Sequence, residues 1–201
     1  MSVTFAKGFS AAGVAAGISS VEGKKDLALV VNQGPLDSAA GVFTFNRFCA
    51  APVQWSRKTV ADGHIKAVIL NSGGANACTG QAGYEQSAAT AKKVAELVGT
   101  QPDEIAVCST GLIDHVLSGV ESAYAALSDD DQAGSDASHA IMTTDTKPKT
   151  VSLEGDGYRI GGMVKGSGMI APQLATMLCV ITTDAAVGAG QLQAALNAAV
   201  D

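Results

Sequence analysis

Residues 67–108, AVILNSGGANACTGQAGYEQSAATAKKVAELVGTQPDEIAVC, read as strand, loop, helix, turn and strand, and the fold class follows from that order. Ala67–Leu70 is a short apolar run of strand type. Asn71–Gly80 is a loop of small and polar residues. Along Tyr84–Val98, Ala88, Ala91, Val94, Ala95 and Val98 fall near one helix face, and Lys92, Lys93 and Glu96 face solvent. Gly99 stands where a left-handed C-cap belongs, Pro102-Asp103 closes the turn, and Ile105–Cys108 is the next strand.

The same alternation extends outward. Leu27–Val31, Val42–Phe45 and Met177–Thr182 are further short apolar runs expected to be strands. Thr150–Leu153 and Tyr158–Met163 flank Glu154-Gly155-Asp156-Gly157, and Asp-Gly between two β-prone runs predicts a hairpin. A second helix is expected over Gly119–Leu127, ended by Asp129-Asp130-Asp131, which reads as a solvated loop rather than a metal site. Gln191–Val200 carries Leu192, Ala195, Leu196 and Ala199 on one face. The sequence stops within this helix at Asp201, with no Gly, Pro or polar tail, as expected of a truncated polypeptide. Strands and helices mixed at this spacing predict an α/β (α+β layered) fold.

Composition bounds the function classes. The 201 residues include 35 Ala and 23 Gly, and 47% are hydrophobic against 16% charged, which excludes a disordered polyelectrolyte. No apolar run reaches the roughly 18 residues of a membrane span, and residues 1–13, with a single Lys and no sustained apolar core, are not expected to act as a secretory signal. A net charge of -6 argues against nucleic acid or an anionic membrane as partner. Cys49, Cys78, Cys108 and Cys179 are scattered, so they are expected to be reduced thiols of a cytoplasmic protein, buried as small hydrophobes. With His64, His115 and His139 they lack the spacing of a zinc site.

Four stretches could carry chemistry. In Lys165–Leu178 a glycine segment delivers a Lys, Pro172 stiffens the chain, and Ala175-Thr176 opens a buried strand. It is not a phosphate loop, because Lys165 precedes the glycines. Taken alone, Thr176 reads as a β-branched strand opener and Lys165 as a solvated charge. Ser109-Thr110-Gly111 ends a strand and can offer a hydroxyl and an amide to a developing oxyanion, although strand–Gly turns are common. Asn71–Gly80 would let a ligand approach the backbone, or is a plain connecting turn. Met142–Lys149 is dense in hydroxyls and charge, or is a capped turn.

Together, Asn71–Gly80, Cys108–Gly111, Ile141–Lys149 and Lys165–Asp184 (with Ala-Thr-Met-Leu-Cys-Val) resemble the ornithine acetyltransferase (glutamate N-acetyltransferase) family of arginine biosynthesis. The resemblance runs from Gly8 to the final helix. It implies a precursor that cuts itself at Ala175–Thr176, leaving Thr176 as an N-terminal nucleophile. It further implies Thr110 and Gly111 as the oxyanion hole, and Thr143, Lys165 and Thr176 as substrate-binding residues. The implied reaction is ping-pong. Acetyl passes from N-acetylornithine to Thr176, and then to glutamate, with neither metal nor organic cofactor.

The implied architecture has sheets sandwiched between helices, resembling the ornithine acetyltransferase and DmpA-like folds. Residues 1–175 correspond to the family's first chain and 176–201 to the start of its second. The implied partners are the missing remainder of that second chain and a heterotetramer of two copies of each.

Thr suits this position chemically. Its hydroxyl can attack the preceding carbonyl in an N-to-O shift, and the ester then hydrolyses. Afterwards the hydroxyl lies beside its own α-amine, whose reference pKa of about 7.7–8.0 lets it serve as base. Ala175 obstructs that attack little. Two other readings stay open at this point. One is an N-terminal-nucleophile amidohydrolase or aminopeptidase with water as acceptor, and the other is an inert fragment serving as an assembly module.

Overall fold

In the computed structural model, which describes residues 1–110, 119–167 and 176–200, the strand Leu27–Asn32 is buried from end to end. Leu27, Leu29 and Val31 enter one apolar core, while Ala28 and Val30 enter another on the opposite face. A strand apolar on both faces must be covered on both. It is β2 of a four-stranded sheet ordered β1 (Phe9–Val14), β2, β3 (Ala67–Asn71), β4 (Ile105–Ser109). β1–β2 and β2–β3 pair antiparallel. β3–β4 pair parallel, joined through helix α2 (Gly80–Val98), and this register sets Asn71 opposite Ser109.

Three helices cover the first face. α2 contributes Ala91, Val94 and Ala95, α3 (Val120–Ala125) contributes Val120 and Ala123, and α1 (Ala51–Thr59) adds Trp55. α1 also closes the sheet edge. Ser56 Oγ donates to the Val107 carbonyl at 2.7 Å and accepts its N–H at 2.8 Å, and Trp55 Nε1 donates to the Ile105 carbonyl. The outer backbone groups of β4 are thereby satisfied by side chains, so the edge offers no template for another strand.

The second face carries α4 (Asp131–Ala140) and a second sheet. α4 lies directly on β1: a Cβ at Gly13 would run into the Asp136 carbonyl, so only glycine fits there. The second sheet is antiparallel, ordered β5 (Lys149–Glu154), β6 (Arg159–Lys165), β7 (Leu178–Thr183). Its inner face places Met163, Leu178 and Val180 against the second core, and Thr182 Oγ1 donates to the Val3 carbonyl. Its outer face leaves Val151, Leu153 and Ile181 exposed. The last helix, α5 (Ala189–Val200), buries no residue; its Gln193 amide exchanges hydrogen bonds with the Gly41 backbone, and Ala189 lies against Gly63. No helix among the described residues is long and apolar enough to cross a membrane.

The layered α/β arrangement agrees with the expected class, as do the strands at residues 27, 67, 105 and 178, the hairpin and the final helix. Gly99 caps α2 at φ 79°, with its N–H on the Ala95 carbonyl. α2 begins four residues before Tyr84, because Asn76 ties down its first turn. Asn76 Nδ2 donates to the Gly83 carbonyl and to Ser87 Oγ.

Other expectations are corrected. Val42–Phe45 is no strand: among the described residues neither sheet includes it, and the Thr44 carbonyl accepts instead from Arg57 Nη2. Its neighbourhood turns on side-chain bonds such as Asn46 N–H to Thr44 Oγ1, and Phe45 and Phe48 are over 80% exposed. The run Asp129–Asp131 is not only a loop: Asp130 accepts the Ala133 N–H and caps α4. The cysteines are not uniformly buried, for Cys78 and Cys179 are exposed. The Cys108 thiol does sit against the second core, and burial pushes it up to about 12. β1 and α1 lacked a periodic apolar signal, as FSAAGV is too small-sided and APVQWSRKT too polar.

Candidate active site

Parallel pairing of β3 with β4 ends both strands together, and the loop that follows β3 is tied to Ser109 and Thr110 at the end of β4. The Thr110 N–H donates to the Asn71 carbonyl at 3.1 Å. Asn71 Nδ2 and Ser109 Oγ both donate to the Gly74 carbonyl, at 2.5 and 2.7 Å, while Ser109 Oγ accepts the Asn76 N–H. Thr110 is thus held by backbone and loop at a fixed place, only 4% exposed.

Lys165 arrives there from the second sheet. It ends β6, is 4% exposed, and its Nζ donates to Thr110 Oγ1 at 3.1 Å and to Thr143 Oγ1 at 2.9 Å. Three of the residues singled out in the sequence therefore converge on one ammonium. Lys165 is not the solvated charge that its residue type alone suggests. Among the described residues no carboxylate forms an ion pair with it. Burial pulls its pKa below the ordinary lysine value; Asp145 opposes that shift, and Lys149 and Lys24 add to it. An ammonium has three donors, and among the described residues the two threonine hydroxyls take two of them.

Asp145 organises the Lys165 side of the cluster. Its Oδ1 accepts the Gly166 N–H at 3.0 Å and an ion pair from Lys149, and its Oδ2 faces the Thr143 N–H at 3.5 Å. Lys149 Nζ donates to the Gly166 carbonyl at 2.9 Å. Burial raises the Asp145 pKa and these bonds lower it; the bonds prevail, and it stays below its ordinary value. On the other side, Asp26 accepts the N–H groups of Ala16, Ile18 and Ser19, each at 2.7 Å, and its carbonyl accepts that of Ser72.

Thr176 is exposed and lies two residues before β7, whose Leu178 pairs with Lys165. The strand register therefore brings the chain carrying Thr176 to the Lys165 end of the β6–β7 pair. No hydrogen bond joins Thr176 to Thr110, Thr143 or Lys165. Gly111 and Ala175, expected in the oxyanion hole and at the cleavage site, lie outside the described residues.

Two open clefts of about 330 and 520 Å³ run along α1 and the start of α2, sharing Lys58 and Tyr84. Neither is lined by the Lys165 cluster. Sequence reasoning assigned no role to Asp145, Lys149, Asn71 or Ser109, although all four lie in quoted stretches. An acid and a base four apart in a turn was the available signal for the first pair. Among the described residues, no group of three or more His, Cys, Asp or Glu could hold a metal ion.

Comparison with known proteins gives the geometry a context. Residues 10–201 match the model of the ArgJ family. The chain is 76% identical to the arginine biosynthesis bifunctional protein ArgJ of Bifidobacterium longum, covering all of this chain and 53% of that protein. The corresponding protein of Streptomyces coelicolor is 56% identical, with 99% and 53% covered. The chain thus spans about half the length of the curated relatives it matches. Among solved structures, ornithine acetyltransferase from Mycobacterium tuberculosis, complexed with ornithine, superposes with a TM-score of 0.82 at 48% identity, over 88% of this chain and 96% of that one. ArgJ from Bacillus halodurans superposes at 0.74 and 34% identity, over 89% and 95%. This chain belongs to the ArgJ family.

Proposed function

We propose that this chain is the nucleophile-bearing half of an acetyltransferase, which moves an acetyl group from N-acetylornithine to glutamate through an acetyl ester on Thr176. The observation that carries the reading is the convergence of Thr110 and Thr143 on the buried, carboxylate-free ammonium of Lys165. Because Lys165 donates to both hydroxyls, each keeps its own proton to donate. Thr110 Oγ1 then joins the Gly111 amide in stabilising the oxyanion of each tetrahedral intermediate. The remaining Lys165 charge receives the α-carboxylate shared by the ornithine and glutamate skeletons, with Thr143 beside it.

The reaction begins with self-cleavage. The Thr176 hydroxyl attacks the Ala175 carbonyl, the peptide nitrogen becomes the free α-amine, and water hydrolyses the resulting ester. In the mature enzyme that amine takes the hydroxyl proton as Thr176 attacks the acetyl carbonyl, and the proton passes to the departing amine of ornithine. The glutamate amine then attacks the ester, and Thr176 recovers its proton.

Coverage of the mycobacterial relatives supports the cut. The match takes 52% of the curated M. tuberculosis protein but 96% of the chain in the solved structure, so that polypeptide is about half the full length. The remainder of the polypeptide, absent here, is the partner, and two copies of each chain form a heterotetramer in the cytoplasm. Neither a metal nor an organic cofactor has a step in this chemistry.

Thr176→Ala tests the reading in the intact protein. It should give a single uncut mass and no transfer; processing of this variant at residue 175 contradicts the assignment. Release of acetate from N-acetylornithine at a rate indifferent to glutamate would instead identify a hydrolase.

A further inference from the structure

Next to the candidate site, one residue is held through its backbone by two charged side chains. Gly166, next after Lys165, has both backbone groups held by charged partners: Asp145 Oδ1 accepts its N–H and Lys149 Nζ donates to its carbonyl. The two partners pair with each other. Asp145 is buried, its side chain only 1% exposed, while that of Lys149 is 44% exposed. Asp145 also faces the Thr143 N–H. One carboxylate therefore touches the loop that presents Thr143 and the strand end that presents Lys165. Solvation does not account for a carboxylate this buried, nor does the hairpin require it, since β5–β6 pairing is complete from Lys149 to Arg159 without it.

We propose that Asp145 and Lys149 form a positioning clamp on the Gly166 peptide. The clamp fixes the Lys165 ammonium between Thr110 and Thr143, and anchors the start of the segment that carries the Ala175–Thr176 bond. Neither residue touches substrate; both act through Gly166. A glycine has no side chain to lock its own conformation, so charged side chains fix the peptide from outside. The proposal rests on the acetyl-transfer reading for its catalytic consequence, though not for the clamp itself.

The test uses Asp145→Ala, Lys149→Met and Lys149→Arg in the intact protein. Three quantities are read: Gly166 amide exchange, the rate of self-cleavage by intact mass, and kcat and KM per folded, cut molecule. Asp145→Ala should speed Gly166 exchange at least about tenfold. Asp145→Ala and Lys149→Met should slow cleavage and lower kcat roughly 10- to 100-fold, the scale of a misplacement near 1 Å. The glutamate KM should rise with them, because Lys165 loses its seat. Lys149→Arg should recover most of the loss, since a guanidinium reaches both the carboxylate and the carbonyl.

Unchanged cleavage and kcat per folded molecule in both deletion variants would overturn the clamp, as would unaltered Gly166 exchange. Equal loss in Lys149→Arg and Lys149→Met would overturn it too. Should Asp145→Ala not fold, the half-exposed Lys149 variants still decide the matter. A functional misassignment shows separately, as absent transfer in the unsubstituted protein alongside faster Gly166 exchange in Asp145→Ala.

Discussion

The two sheets differ in how they are held. β2 of the first sheet is covered on both faces, and the free edge of β4 is closed by Ser56 and Trp55. The β5–β6–β7 sheet packs on one face only and leaves Val151 and Leu153 about half exposed. Thr110 belongs to the first region; Lys165 and Thr176 come from the second. Thr110 is placed by the end of a strand in the doubly covered sheet and by its bond to Asn71, whereas Lys165 sits at the end of a one-sided sheet and its side chain is held by bonds to Thr110 and Thr143. The first region should therefore fail in stability when altered, and the second in function.

That contrast can be broken in three ways, in descending size. Lys165→Met removes the ammonium assigned to carboxylate binding while keeping the bulk. It should weaken glutamate binding by roughly 2–5 kcal/mol, read as a rise in KM of about thirtyfold or more, while the melting temperature changes little. The same side chain sets a pH dependence. Its ammonium is the form that binds carboxylate, and burial lowers its pKa from 10.5, so glutamate KM should climb with rising pH from below that value. A KM independent of pH up to 10.5 would remove Lys165 from carboxylate binding.

Leu29→Ala comes next. The residue is fully buried at the centre of the first sheet, and truncation should cost about 2–5 kcal/mol in denaturant unfolding, with KM unaltered in the folded fraction. Val151→Thr is the smallest. At 47% exposure on the outer face of the second sheet, it should stay within about 0.5 kcal/mol. If Val151→Thr cost as much as Leu29→Ala, the two sheets would not differ as described.

Sequence pattern revealed what depends on large aliphatic residues or on backbone punctuation. Leu27–Val31, Ile105–Cys108, the Asp-Gly hairpin and the Gly99 cap all carry such signals. It missed β1, whose Ala and Gly pack because α4 comes within backbone distance at Gly13, a contact between residues over a hundred apart in sequence. It overread Val42–Phe45, because an apolar run makes a strand only where a neighbouring strand supplies a ladder of backbone hydrogen bonds. The family resemblance singled out Thr110, Thr143 and Lys165, which the structure brings together, and Thr176, which makes no hydrogen bond to them. Residue type alone favoured a solvated Lys165, and contacts distant in sequence hold it instead, with Thr110 55 positions away and Thr143 22 positions away. Asp145 and Lys149 escaped for the same reason: their target is the backbone of Gly166, which leaves no mark in a side-chain pattern.

The central claim is that Thr176 carries the acetyl group. The intact protein, incubated with N-acetylornithine in the absence of glutamate, can be quenched and its peptides weighed. The account predicts an acetyl group on the hydroxyl of a peptide that begins at Thr176, discharged when glutamate is added. Transfer that proceeds with no acetyl at Thr176, or with the acetyl on another residue, would contradict it.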